Sequence, residues 1–201
     1  MKAYMVDQYI HIYEKIGLFP AGVCMGLALV VGHLVAALWP RELMELLGKI
    51  NARARFGQAL LIFDLLWVAL LLWDSPINPL RMELFDFNRV RMPLLIACPL
   101  VGYTLCTYSK QNLFGRAVGL FLMLLGIVPL SAAYLKEPCT RLLIPLWWYP
   151  VLTYAIFLVP MPWLLRDTFS WLAKRPALTR TLALAGLLYG LAILICAFLY
   201  W

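Results

Sequence analysis

The chain has 201 residues, 64% of them hydrophobic and 13% charged, with a formal net charge of +7 and a mean hydropathy of +0.85. A soluble domain of this length carries about 25% charged residues, so the composition excludes an ordinary water-soluble fold and sends the surplus apolar surface to lipid. The basic excess is not a nucleic-acid footprint, because the 17 Lys and Arg sit in short stretches between apolar runs, where they set topology and meet anionic headgroups.

About sixteen polar and mixed residues come first. Met5, Tyr9, Ile12 and Ile16 follow helical spacing opposite Asp7, His11, Glu14 and Lys15, which predicts an interfacial helix lying on the membrane. The apolar run that follows is too long for a signal-peptide core, so the segment is expected to be retained. That run, 18–39, is the first predicted span, since about 20 apolar residues cross the hydrocarbon core. It carries Gly22-x-x-x-Gly26, Gly32-x-x-x-Ala36 and a lone histidine, His33. Bis-histidine haem would need a second intramembrane histidine, and His11 lies outside the spans. His33 is therefore a weak candidate for a single axial ligand and is better read as a hydrogen-bonding group.

Residues 40–57 form a second amphipathic stretch. Leu43, Leu47 and Ile50 share one face after Pro40, and Glu45 is spaced to pair with Lys49 at i, i+4. The second span, 58–73, holds Asp64, the one carboxylate within the apolar runs, about 10 Å along the helix from Gly57. Inserting such a residue costs about 2.5–3.5 kcal/mol on translocon scales, so it is expected to face the bundle and not lipid. Arg116 and Arg180, flanking other helices on the same side, can snorkel toward it. An Asp–Arg or Asp–Tyr/Thr packing contact is the expected role, and a proton or cation site and a contact with another subunit are the competing ones.

Residues 80–92 nearly alternate (Leu80-Arg81-Met82-Glu83-Leu84, Phe85-Asp86-Phe87, Val90-Arg91-Met92), which favours an extended strand or short hairpin, while Leu80, Leu84 and Phe87 also suit a helix; an ordered, non-spanning cap is expected. The third span, 93–108, carries a polar stripe of Tyr103, Thr104, Thr107 and Tyr108, suited to interhelical hydrogen bonds. The fourth, 117–135, is opened by Gly115-x-x-x-Gly119. The fifth, 142–165, is punctuated by Pro145, Pro150, Pro160 and Pro162. Pro150 removes a donor inside the helix, and the last two prolines should end it early. Trp147, Trp148 and Tyr149 near its start, with Trp39, Trp73, Trp163 and Trp201 at other span ends, read as interfacial anchors. The sixth span, 181–201, contains Gly186-x-x-x-Gly190. Such glycine pairs let helix backbones approach closely.

The fold class expected is therefore all-α: one polytopic membrane domain over residues 1–201, a bundle of six transmembrane helices with short interfacial amphipathic helices. Loops 40–57, 109–116 and 166–180 carry ten Lys and Arg against seven elsewhere, which favours those loops inside and both termini on the non-cytoplasmic side. Five cysteines, Cys24, Cys98, Cys106, Cys139 and Cys196, give an odd count without a C-x-x-C, so buried free thiols are expected and neither a zinc site nor a disulfide framework. There is no H-E-x-x-H, G-x-S-x-G or carboxylate cluster. Catalytic residues, a metal and a cofactor are not predicted, whereas bound lipid is.

The functional expectation is a non-catalytic accessory or scaffold subunit of a larger membrane complex, with membrane lipids and other membrane subunits, or further copies of itself, as partners. A small-solute or ion-coupled transporter using Asp64 and the proline-broken fifth span is the alternative. A lipid- or quinone-handling enzyme using the third-span stripe is a further one.

Overall fold

The computed structural model describes residues 12–73, 75, 78, 80, 89–108 and 112–201, and every regular element among them is helical. The main helices are α1 (Leu18–Leu38), α2 (Pro40–Ala52), α3 (Ala54–Leu72), α4 (Arg91–Tyr108), α5 (Leu113–Ala133), α6 (Leu143–Leu158), α7 (Trp163–Ala173) and α8 (Pro176–Tyr200). One helical turn, Ile12–Lys15, precedes α1, and a 3-10 turn, Cys139–Leu142, leads into α6.

Five stretches are long and apolar enough to cross a membrane: α1, α3, α5, the 3-10 turn continued by α6, and α8. This makes the chain an integral multi-pass membrane protein. The predicted third span does form a helix, the 18-residue α4, but it is not among the five. Arg91 in its first turn, the internal Pro99 and the polar Tyr103, Thr104, Thr107 and Tyr108 dilute its apolar character.

Proline sets the corners. Trp39 and Arg175 adopt nearly the same non-helical backbone (φ −126°, ψ 61° and φ −129°, ψ 64°), and each precedes a proline at the first position of a helix, α2 or α8. Pro160 and Pro162 end α6 at Leu158, so residues 163–165 belong to the separate helix α7 and not to the fifth span. Pro150 stays inside α6 and leaves the Leu146 carbonyl without its usual intrahelical donor.

Two other expectations are met by the described residues only in part. Residues 81–88 of the predicted extended cap lie outside the described residues, and Arg91 and Met92 open α4 in place of a strand. Most of the predicted N-terminal helix, residues 1–11, also lies outside them. In the turn that is described, Tyr13 is the inward residue at 6% exposure, whereas Ile12 is 37% exposed.

Packing follows the glycines. α1 and α8 run antiparallel along their whole length, with Gly22 against Trp201, Gly26 against Leu194 and Gly190, and Gly190 against Leu29 and Val30. α3 and α5 run parallel: Gly57 abuts Phe114 near their starts, and Phe121 meets Phe63 and Trp67 further along. α6 returns antiparallel to α5, with Gly119 against Ala155 and Gly126 against Leu152 and Trp148. α4 packs on α3 where Leu65 fills the notch at Gly102. α2 and α7 pack on each other at one end of the bundle.

Candidate functional site

α3 turns Gly57, Leu61 and Asp64 onto one face, because they are spaced by four and three residues. Leu61 belongs to a buried cluster with Leu113 and Ala117 of α5, and Asp64 one turn further is 1% exposed. Neither Asp64 carboxylate oxygen has a hydrogen-bond partner among the described residues. The two arginines expected to reach it are placed otherwise. Arg180 donates from Nε to the Ala37 carbonyl (3.1 Å), tying α8 to the end of α1. Arg116 sits in the first turn of α5 with its Nε buried and unbonded among the described residues, and no ion pair joins it to Asp64. Asp64 is thus a sealed polar group in an apolar interface, and its side chain contributes no hydrogen bond to the packing.

The third-span stripe is not brought to Asp64. Thr104 donates to the Val101 carbonyl (2.9 Å) and Thr107 to that of Tyr103, so both hydroxyls are satisfied within α4. Tyr103 points outward at 67% exposure.

His33 is held in a tight cage. Its Nδ1 lies 2.8 Å from the Leu29 carbonyl, which requires the proton on that nitrogen. The ring meets Trp147 edge to face at 5.5 Å, and a Cβ built on Gly186 would fall 2.1 Å from His33 Cδ2 and 2.2 Å from Nε2. The remaining nitrogen therefore lies against Gly186 of α8, and the ring as a whole is partly buried. Trp147 in turn packs on Tyr189, whose hydroxyl donates to the Leu143 carbonyl (2.7 Å). His33, Trp147 and Tyr189 together clasp α1, α6 and α8.

The predicted packing glycines are consumed inside this chain. Gly22, Gly26, Gly186 and Gly190 serve the α1–α8 seam, while Gly115 and Gly119 seat α5 against Pro162 and Ala155. Gly32 differs, since a Cβ there would meet nothing within 4 Å.

At the end of the bundle where α1 and α6 finish, α2 and α7 enclose a groove of about 720 Å³. Its floor includes Met44 and Phe169, and its rim carries Arg41, Lys49, Arg166 and Lys174. Glu45 was expected to pair with Lys49 but bonds Arg41 instead, at 2.9 Å, and this bond and its charge raise the Arg41 pKa. Arg166 pairs with the adjacent Asp167 at 3.1 Å. The Lys49 and Lys174 side chains form no ion pair or hydrogen bond among the described residues. The walls are fixed: Tyr154 donates to Thr168 (3.0 Å), joining α6 to α7, and Thr179 bonds the Leu172 carbonyl (2.9 Å), joining α7 to α8.

Several buried polar groups escaped the sequence reading. Asn51 is buried on α2, on a face with Pro40 and Met44 that lies one position away from the predicted Leu43, Leu47 and Ile50 stripe. Trp67 donates to the Tyr13 hydroxyl (2.9 Å), anchoring the first described turn against α3. A polar residue at a helical register with apolar neighbours was the available signal for Asn51, and none existed for the Trp67–Tyr13 pair. The cysteines are free, as expected, but none is buried: Cys24 and Cys139 are exposed, and Cys98, Cys106 and Cys196 are partly exposed. Among the described residues no group of three or more His, Cys, Asp or Glu converges as a metal site. Comparison with protein-family models, curated proteins and solved structures finds no match.

Proposed function

We propose that the chain is a non-catalytic accessory or scaffold subunit of a larger integral-membrane assembly, with six crossings and both termini on the non-cytoplasmic side. The observation that carries this reading is α4. It packs on α3 with only Arg91 and Gly102 buried, and leaves a broad face through Met92, Ile96, Leu100 and Tyr103 exposed. A helix with an internal proline and a polar second half gains little from lipid alone, and a neighbouring helix from another subunit would cover it.

Support for α4 as the sixth crossing comes from chain direction. α3 and α5 run parallel, which supports a return crossing between Trp73 and Leu113, and α4, about 27 Å long at 1.5 Å per residue, has the length for it. Purification from the native membrane in mild detergent, with cysteines placed by Ile96→Cys and Leu100→Cys, tests the proposal. Crosslinking of α4 to a stoichiometric membrane partner is expected, and a partnerless monomer would overturn it.

A second reading, ion-coupled transport, is favoured by the unbonded carboxylate of Asp64. Asp64 lines none of the four cavities described for the bundle, which weighs against it. Flux into liposomes that is abolished by Asp64→Asn with folding intact would establish it, and absence of flux removes it.

A further inference from the structure

We propose that the groove between α2 and α7 is a binding site for the headgroup of an anionic phospholipid. Three features converge on this occupant. First, the groove lies at the level of the span ends, because α2 starts two residues after α1 finishes and α7 finishes three residues before α8 starts. That is the depth of lipid phosphates. Second, its size fits a headgroup with the adjoining part of an acyl chain. A volume of about 720 Å³ falls within the range of small-molecule sites, and a floor of Met44 and Phe169 accepts apolar chain while the rim faces water.

Third, the charge is complementary. Arg41 and Arg166 have local carboxylate partners, which hold them in place, whereas Lys49 and Lys174 stand on opposite walls with no partner among the described residues. The switch of Glu45 from Lys49 to Arg41 is what frees the Lys49 ammonium. Two ammonium groups without a partner among the described residues, both lining an apolar groove, offer donors to the oxygens of a phosphodiester. Arg53, Arg55, Arg175 and Arg180 lie at the same end of the bundle, against acids limited to Glu42, Glu45 and Asp167 among the described residues. Anionic lipid is therefore enriched around the groove.

Gly48 lines the groove, and a Cβ there would meet nothing within 4 Å, so a large side chain at this position can extend into the open space. It provides a way to block the site without changing charge. The experiment uses the full chain in nanodiscs of phosphatidylcholine, titrated with phosphatidylglycerol and read by native mass spectrometry and tryptophan fluorescence. Inorganic phosphate and glycerol phosphate are the soluble competitors. Lys49→Gln with Lys174→Gln is expected to weaken phosphatidylglycerol binding about 30-fold, from about fivefold for each lysine near a lipid surface. Gly48→Trp is expected to remove the bound lipid with all charges retained, and Lys15→Gln with Lys136→Gln, at the opposite end, to leave it unchanged. The proposal is overturned if the groove lysine pair and the opposite-end pair lose binding equally, if Gly48→Trp binds normally while folded, or if inorganic phosphate competes as well as lipid. A co-purified acidic protein segment in the groove that phosphatidylglycerol fails to displace would also overturn it.

Discussion

Replacing Gly186 by alanine probes the α1–α8 seam at its tightest point. The new methyl would lie 2.1 Å from His33 Cδ2, far inside van der Waals contact, so the imidazole has to move. Retreat is blocked on two sides, by the 2.8 Å bond from Nδ1 to the Leu29 carbonyl and by the edge-to-face contact with Trp147. Overpacking of this kind costs about 1–3 kcal/mol, and breaking the histidine bond adds about 1 kcal/mol. Alanine returns about 0.5–1 kcal/mol through helix propensity, which leaves a net destabilisation of about 1–3 kcal/mol. Gly32→Ala is the matched control, because its methyl enters open space and only the propensity gain remains. Thermal or SDS-induced unfolding in one detergent compares the two, with His33→Ala added in a double-mutant cycle. The cycle should recover most of the Gly186→Ala loss, since the obstructing ring is gone. Equal stability of Gly186→Ala and Gly32→Ala, or strict additivity in the cycle, would refute the reasoning.

Three more outcomes follow from the same contacts. Gly57→Ala should cost more than Gly186→Ala and resist rescue, because its methyl would lie 2.6 Å from the Phe114 backbone nitrogen, which cannot rotate away; unfolding in the same detergent ranks the two. Asp64→Leu, which keeps the branched shape and removes two unbonded buried oxygens, should raise stability by about 1–3 kcal/mol, and a loss would mean that a partner holds the carboxylate. Tyr189→Phe keeps the ring stack on Trp147 and loses only the 2.7 Å bond to Leu143, so a drop of about 0.5–1.5 kcal/mol is expected by thermal unfolding.

Hydropathy made the membrane class and the main spans readable, because crossing lipid imposes a length and an apolarity that few other structures share. Proline chemistry was equally local: Pro160 and Pro162 end α6 where their missing donors require. Pairing was not readable. Gly186-x-x-x-Gly190 signalled a close approach but not that His33 would fill the notch, since that choice depends on the register of α1 against α8. Asp64 had two arginines within plausible reach, and tertiary geometry gave Arg180 to Ala37 instead. Glu45 had basic neighbours four residues away on both sides, and the winner, Arg41, was decided by side-chain reach that spacing alone does not encode. The groove between α2 and α7 is a product of two proline corners meeting, and nothing in either segment alone announces it.

The proposal that this chain works inside a larger membrane assembly is tested most directly by its state on leaving its native membrane. Extraction in mild detergent followed by native mass spectrometry should find it in a complex of fixed stoichiometry with another membrane subunit or with its own copies. Cysteines placed by Ile96→Cys and Leu100→Cys on α4 should crosslink to that partner. A lone monomer at every detergent condition that preserves its fold, with α4 uncrosslinked, would contradict it.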